Sequence, residues 1–114
     1  MRKLEWKEIP ALAVRFSVKE GVIEIAHGYL YFITNDGHDE PYALLEDVFV
    51  DPKYQGKGIG KKFVRKIMEV AQQRKCYKVI AYSRISNKRA HTLYEKLGLK
   101  KFGFEFRLDF TEKL

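Results

Sequence analysis

Residues 44–62 place a strand-forming segment, a proline turn and a glycine-rich loop directly before a helical pattern, and no other stretch constrains the fold as much. The strand-forming part carries the acidic pair Glu46–Asp47 and ends at Val50–Asp51–Pro52. A glycine-rich loop at a helix N-terminus presents several backbone N–H groups, which together form an anion site. Four nearby lysines add positive charge: Lys53, Lys57, Lys61 and Lys62. We therefore expect a phosphate-bearing ligand to bind here, beside an acid–base carboxylate.

The loop does not match the two commoner nucleotide-binding fingerprints. A Walker phosphate loop counted from Gly56 requires a second glycine at the position of Lys61, and the dinucleotide fingerprint G-x-G-x-x-G fails at the same position. What is present is Gln55-x-x-Gly58-x-Gly60, in which glycine lets the backbone approach a ligand closely. A flexible surface turn before a helix is the alternative interpretation.

The first half of the chain has the patterns of β-strands. Residues 11–18, 22–34 and 42–50 are rich in strand formers, and the second segment is expected to bend at Gly28. Asn35–Asp36–Gly37 is a strong turn signal between the second and third segments. These residues predict an antiparallel meander.

After the glycine loop the apolar period becomes helical. We expect an amphipathic helix of about four turns, then a short strand at 78–83, a second helix at 86–97 capped by Gly98, and a half-buried strand at 102–110. This order predicts an α/β (α+β) fold with a mixed, mostly antiparallel sheet and helices packed on it, in a single domain of residues 1–114. The apolar face of the first helix consists of Ile59, Phe63, Ile67, Val70 and Ala71.

Composition narrows the class of protein. At 114 residues and 46% hydrophobic content the chain can bury one core. It has no apolar run of the roughly 20 residues that a membrane span needs and no signal-peptide core at its N-terminus. The single Cys76 cannot form an internal disulfide, which favours a cytoplasmic protein. The three histidines are scattered without ligand spacing, so we expect no metal site.

The net charge of +7 does not decide the function. It is consistent with attraction to nucleic acid, with attraction to a polyanionic small ligand, or with lysines spread over solvated helix faces.

Residues 46–60 resemble the acetyl-CoA-binding signature of the GNAT N-acetyltransferase superfamily. Residues 76–80 and the pattern Asn87-x-x-Ala90-x-x-Leu93-Tyr94 are similar to the strand and helix that follow in that superfamily. Within it, the Glu46–Asp47 pair and Cys76–Tyr77–Lys78 are most similar to the glucosamine-6-phosphate N-acetyltransferase-like branch. The resemblance covers residues 44 to about 110 and implies acetyl-CoA as the cofactor.

The resemblance also implies roles for individual residues. The backbone of Val48, Phe49 and Val50 would pair with the pantetheine arm of the cofactor as an added strand does. Asn87 would hydrogen-bond the cofactor arm, and Tyr94 would lie near the thioester sulfur. The backbone N–H groups that would hold the pyrophosphate are those of Gln55, Gly56, Lys57, Gly58, Ile59, Gly60 and Lys61.

Acyl transfer to an amine needs a neutral amine, a donor for the tetrahedral oxyanion and a proton for the leaving thiolate. Tyr94 is the candidate acid for the thiolate, although it also falls on the apolar face of its helix, where an ordinary core tyrosine would lie. For the base, the superfamily often uses a residue four or six positions before that of Val50. Leu44 cannot act as a base, so Glu46 is the candidate, directly or through water. The alternative interpretation of Glu46 is a strand-end carboxylate that pairs with one of the lysines.

Strand alternation predicts that Leu44, Glu46, Val48 and Val50 point to one face and that Leu45, Asp47 and Phe49 point to the other. Asp47 is the second catalytic candidate, as a contact to the substrate amine or as a structural hydrogen-bond acceptor.

The chain departs from the superfamily in one respect: residues 11–34 leave no room for the pair of helices that usually follows the first strand. The acceptor side would then be open, or completed by a second subunit in a homodimer. The leading hypothesis is an N-acetyltransferase that moves acetyl from acetyl-CoA to a primary amine of a small molecule or peptide by direct attack in a ternary complex. The alternatives are a CoA-binding regulatory or scaffold module without acceptor activity, and a basic nucleic-acid binder.

Overall fold

Four strands form one sheet in the order β1-β2-β3-β4 in the computed structural model, which describes residues 2–111. The chain divides into two compact units, Met1–Ala81 and Tyr82–Leu114. The first contains the sheet and helix α1, and the second contains helix α2. The elements are β1 (Leu12–Glu20), β2 (Ile23–Ile33), β3 (Tyr42–Val50), a 3-10 turn (Pro52–Tyr54), α1 (Ile59–Gln73), β4 (Val79–Ala81) and α2 (Lys88–Lys96).

The sheet is mixed, as the order of patterns predicted. β1 pairs antiparallel with β2, β2 pairs antiparallel with β3, and β3 pairs parallel with β4 after the crossover through α1. Only a turn separates Glu20 of β1 from Ile23 of β2, and Gly21 adopts a positive φ of +63° in it. The helix pair that usually follows the first strand is therefore absent between β1 and β2, which confirms the predicted departure.

Helix α1 covers one face of the sheet. Because its apolar side chains recur every three or four residues, they form one stripe along the helix. Burying each of the larger ones contributes about 1.5–3 kcal/mol. Val70, which was expected in this stripe, is only half-buried. The buried apolar residues from helix and sheet are Ile25, Ala26, Leu30, Phe32, Ala43, Leu45, Phe63, Val64, Ile67 and Ala71.

A bulge interrupts the pairing of β2 with β3. Tyr29 pairs with Glu46 and His27 pairs with Phe49, so one residue of β2 lies opposite two residues of β3. Asp47 stands in the bulge with a φ of +52°, a left-handed conformation that is uncommon outside glycine. The register irregularity falls at Gly28, the position at which the second strand was expected to bend.

The bulge corrects the predicted alternation of β3. A Cβ placed on Gly28 would lie 3.5 Å from side-chain atoms of Val48, Phe63 and Ile67, so Val48 is on the α1 face of the sheet. Glu46 pairs with Tyr29, whose neighbours along β2 are buried on that face, so Glu46 is on the opposite face. The expectation that Glu46 and Val48 share a face is therefore wrong, because the extra residue of the bulge shifts the period of two.

The predicted final strand is also wrong. Residues 101–109 have no strand assignment, and Phe102, Phe104 and Phe106 are 98%, 87% and 93% exposed. Alternating apolar residues show which side chains can share a face, but a strand needs a hydrogen-bonded neighbour, and this segment has none among the described residues. The fourth strand and second helix form within the predicted ranges but are shorter than 78–83 and 86–97. Gly98 has the expected positive φ, +96°.

Candidate functional site

Strand β3 carries an open backbone edge in its second half. Its parallel pairing with β4 covers Ala43 to Leu45 and ends there. Within residues 2–111, no strand pairs with residues 46–50 on the β4 side. Backbone N–H and C=O groups on such an edge are free to pair with an extended ligand, as in strand addition. The three residues predicted to hold a pantetheine arm, Val48, Phe49 and Val50, lie in this segment.

The chain continues from this edge into a structured loop. The carboxylate of Asp51 accepts a hydrogen bond from the N–H of Lys53 at 2.9 Å and starts the 3-10 turn. The side-chain amide of Gln55 donates to the carbonyl of Val50 at 2.9 Å. Gly56 and Gly58 both have positive φ, +80° and +79°. The interpretation of this segment as a simple flexible turn does not account for these hydrogen bonds.

Gly58 is the N-cap of α1 and supplies no side-chain cap. The first helical hydrogen bond described at this end runs from Lys62 N–H to Gly58 C=O, at 3.1 Å. The first N–H groups of a helix have no intrahelical acceptor, and here no side chain of the N-cap replaces one. Together with the positive end of the helix dipole, the amides from Ile59 to Lys61 have the polarity that suits an anion, and their role in binding one remains a prediction. The ammonium of Lys57 lies 5.7 Å from the ring centre of Tyr54, on the same loop.

The two carboxylates next to this edge have different surroundings. Glu46 is exposed, and its carboxylate has no hydrogen bond or ion pair among residues 2–111. The alternative interpretation, in which Glu46 pairs with a lysine, finds no lysine partner for it in this part of the chain. Asp47 lies 3.2 Å from Nε2 of His27 through its Oδ2, and its side chain is 68% exposed. One carboxylate is thus available and the other is held by an imidazole.

A network of charged side chains extends from His27 across the sheet. Nδ1 of His27 lies 3.4 Å from Oε2 of Glu24. The guanidinium of Arg15 donates to both oxygens of Glu24, at 2.6 and 2.9 Å. These hydrogen bonds lower the pKa of Glu24 from its ordinary 4.5 to about 2. Arg15 also donates to the hydroxyl of Tyr29 at 3.1 Å.

Two predicted site residues belong to the second unit. The side-chain oxygen of Asn87 accepts a hydrogen bond from Ala90 N–H at 3.1 Å and caps α2. Its amide nitrogen keeps two N–H donors for other contacts. Burial raises the pKa of Tyr94 above its ordinary value, so its hydroxyl is protonated at neutral pH. The cofactor contacts expected of these two residues remain predictions.

The model of the acetyltransferase (GNAT) family matches residues 5–99. The chain belongs to this family. Its open strand edge, its glycine loop and the helix that follows are the parts of the GNAT fold that the sequence motif predicted.

Individual GNAT proteins are similar to parts of the chain. Glucosamine 6-phosphate N-acetyltransferase of Trypanosoma brucei brucei is 40% identical over 65 residues, 57% of this chain and 42% of that protein. Thialysine N-epsilon-acetyltransferase of Mus musculus is 37% identical over 81 residues, 69% of this chain and 46% of that protein. The chain thus spans under half the length of these relatives.

A crystal structure of glucosamine-6-phosphate N-acetyltransferase from Arabidopsis thaliana has the same fold. It aligns with a TM-score of 0.78 at 27% identity, over 87% of this chain and 67% of that chain.

The sequence reasoning missed His27 and its partners Glu24 and Arg15. A signal was present: Ile33 pairs with Tyr42 beside the turn, and a regular register continued for six residues from this pair would place His27 opposite Val48, one position from its observed partner Phe49. That position is next to Asp47, so hairpin register alone would have placed the imidazole near the acidic pair.

Within residues 2–111, neither helix has both the length and the apolar character that crossing a bilayer requires. In the same range, no three His, Cys, Asp or Glu side chains are grouped to hold a metal ion.

Proposed function

We propose that this chain is an acetyl-CoA-dependent N-acetyltransferase that transfers an acetyl group to a primary amine by direct attack in a ternary complex. The observation that supports it most is the unpaired edge of β3, which leads directly into a glycine loop and a helix N-terminus. An extended pantetheine arm can pair with such a strand edge, and a pyrophosphate can bind at such a helix N-terminus. Membership of the GNAT family supports the same cofactor.

In this proposal the cofactor lies along residues 48–50 and its pyrophosphate at the loop. Val48, Phe49 and Val50 pair with the pantetheine arm through their backbone, and Asn87 holds the arm through its free amide N–H groups. Lys57 and Lys61 add positive charge beside the phosphates. The backbone N–H groups assigned to the pyrophosphate are those of Gln55, Gly56, Lys57, Gly58, Ile59, Gly60 and Lys61.

Glu46 is the proposed base, because its carboxylate is exposed, unpaired in the described structure and next to the cofactor edge. It removes a proton from the attacking nitrogen, directly or through water. A backbone N–H near Phe49 or Val50 donates to the oxyanion of the tetrahedral intermediate. Tyr94 protonates the leaving thiolate, since its hydroxyl is protonated at neutral pH. Asp47 contacts the acceptor amine.

The proposed acceptor is a small-molecule or peptide amine. The relatives act, by their names, on glucosamine 6-phosphate and on thialysine, both of which carry an amino group. We also propose one acetyltransferase domain over residues 1–114, because the family match extends from residue 5 to 99. A cytoplasmic location is part of the proposal because Cys76 is a free thiol.

A homodimer that completes the acceptor site is a further element of the proposal. Because only a turn lies between β1 and β2, no helix from that part of the chain covers the face of the sheet that carries His27. Phe102, Phe104 and Phe106 expose apolar surface of the kind that protein interfaces bury. Sedimentation equilibrium measures this directly: a dimer is expected, and a monomer at all concentrations contradicts it.

The decisive experiment pairs calorimetric titration of CoA with an acetyl-CoA consumption assay across amino sugars, polyamines, amino acids and peptides. We expect CoA binding and turnover with at least one acceptor class. Binding without turnover supports the regulatory or scaffold alternative. No CoA binding, together with salt-dependent binding of duplex DNA, overturns the proposal in favour of nucleic-acid binding.

A further inference from the structure

The imidazole of His27 lies between two carboxylates. Its Nε2 is 3.2 Å from Asp47 Oδ2, and its Nδ1 is 3.4 Å from Glu24 Oε2. The ring stacks on Phe49, with centroids 5.4 Å apart, and its side chain keeps 21% of its surface exposed. The ring is therefore held in place while remaining in contact with water.

A neutral imidazole has one N–H donor and one acceptor nitrogen. Whichever tautomer His27 adopts, one ring nitrogen then directs its lone pair at a carboxylate. A doubly protonated ring donates at both nitrogens and satisfies both Asp47 and Glu24. In the neutral ring, only one of the two carboxylates therefore has an N–H donor.

The Glu24 side of this arrangement is fixed. Arg15 donates hydrogen bonds to both oxygens of Glu24. This pairing lowers the pKa of Glu24 to about 2, so the carboxylate is ionised throughout the neutral range. An ionised acceptor at Nδ1 favours a proton on that nitrogen. In that tautomer Nε2, which faces Asp47, is the nitrogen with a lone pair that can accept a proton.

We propose that His27 is a positioning and proton-accepting residue of acetyl transfer, acting on the acceptor amine through Asp47. The inference rests on the proposed function and deepens it. Asp47 is suited to the contact with the amine, because its carboxylate is mostly exposed and is one residue from Glu46. His27 orients this carboxylate in the bulge and receives the proton that it collects.

The proton balance has two parts. An ammonium N–H bond breaks, the proton passes to Asp47 and then to Nε2 of His27, and a neutral amine and an imidazolium remain. The nitrogen lone pair then forms the C–N bond to the thioester carbonyl carbon, and the C–S bond breaks with its electron pair on sulfur. Glu46 takes the second nitrogen proton, Tyr94 protonates the thiolate, and the proton held by Glu46 restores the Tyr94 hydroxyl through water. The imidazolium returns its proton to water, so one proton is released per turnover.

The polar groups on the face of the sheet around His27 include three carboxylates and one guanidinium. They come from all three strands around the ring. From β1 they are Arg15 and the register partner Ser17, from β2 Glu24 and Tyr29, and from β3 Glu46 and Asp47.

The test compares His27→Gln with His38→Gln, the same change at a histidine in the loop between β2 and β3 that stacks on Tyr77. For each variant, kcat and the KM for acetyl-CoA are measured as a function of pH with an acceptor found in the amine screen. We expect His27→Gln to lower kcat by about 10²-fold where the imidazole is neutral, with the loss shrinking in acid, where a protonated ring can accept no further proton. The KM for acetyl-CoA should not change, and His38→Gln should match the unmodified protein.

Asp47→Asn provides a second variant that keeps the size of the side chain. If His27 acts through Asp47, the double variant should be no slower than the slower single variant, because the two residues act as one unit. Additive losses would contradict the proposal. So would a loss of kcat that is the same at every pH, or a His27→Gln variant with normal kcat.

A measurement on the unmodified protein covers the case in which His27→Gln does not fold. The nitrogen NMR shifts of the His27 ring in the CoA-bound protein should show one proton gained over the pH range in which kcat changes. A ring with fixed protonation across that range overturns the proposal. An unmodified protein that acetylates no amine contradicts the proposed function itself, whereas turnover that does not depend on His27 contradicts only this inference.

Discussion

The carboxylate of Asp47 lies 3.2 Å from Nε2 of His27, although the two residues are twenty positions apart in the chain. The bulge in β3 produces this contact, because it holds Asp47 at a φ of +52° and lets its carboxylate reach the ring. Glu46, one residue earlier, pairs with Tyr29 on the same face of the sheet. The face away from α1 thus carries both carboxylates, and it is the face on which we expect the acceptor.

Replacement of Glu46 by glutamine tests the proposed base. Glu46→Gln should lower kcat by about 10²-fold, most sharply at low pH, because the amide cannot remove a proton from the nucleophile. CoA affinity, measured by calorimetry, should stay the same. Glu40→Gln, the same change in the exposed loop before β3, serves as the control. Unchanged turnover in Glu46→Gln would exclude Glu46 as the base.

Tyr94→Phe removes the hydroxyl proposed to protonate the thiolate. A phenol is protonated at neutral pH, and burial raises the pKa of Tyr94 further, so the hydroxyl has a proton to donate. We therefore expect kcat to fall by about 10-fold or more while the circular dichroism spectrum is retained. Tyr82→Phe, at a tyrosine that is 52% exposed, should behave like the unmodified chain. If Tyr94→Phe has normal kinetics, the role of Tyr94 is packing.

Gly58→Ala tests the anion loop. An alanine at a φ of +79° costs about 1–2 kcal/mol, and it distorts the N-terminus of α1 where the pyrophosphate is expected. Gly21→Ala introduces similar strain, at a φ of +63°, in the β1–β2 turn. Both variants should unfold at lower urea concentration, but only Gly58→Ala should raise the Kd for CoA, by about tenfold. Equal CoA affinities in the two variants would show that the loop is not part of the cofactor site.

Glu24→Gln tests the ion pair with Arg15 through the pH dependence of stability. The folded pKa of about 2 is below the ordinary 4.5, so the folded state favours the ionised carboxylate. The resulting stabilisation is complete above about pH 4.5 and is lost as the pH falls towards 2. Urea denaturation should therefore show the variant to be less stable than the unmodified chain at neutral pH, with the difference closing in acid. A difference in stability between the two proteins that is the same at every pH would contradict the proposed effect of the Arg15–Glu24 ion pair.

The site and the first three strands could be predicted in part from the sequence because their signals are local. The turn at Asn35–Asp36–Gly37, the loop around Gly58 and the apolar period of α1 depend on residues close together in the chain. The motif of residues 46–60 likewise indicated the family that the comparison then showed. The prediction of the final strand was wrong because a strand forms only beside a partner strand, and no local pattern supplies that partner.

The sequence by itself determined the glycine loop, the amphipathic helix and the acidic pair, since conformational preference and apolar period are properties of neighbouring residues. Only the tertiary structure decided which way that pair points. A single extra residue in β3 shifts the side-chain period of two, places Glu46 opposite Tyr29 and brings Asp47 to His27. Strand register is a relation between distant segments, and the contact between Asp47 and His27 exists only once β2 and β3 have paired.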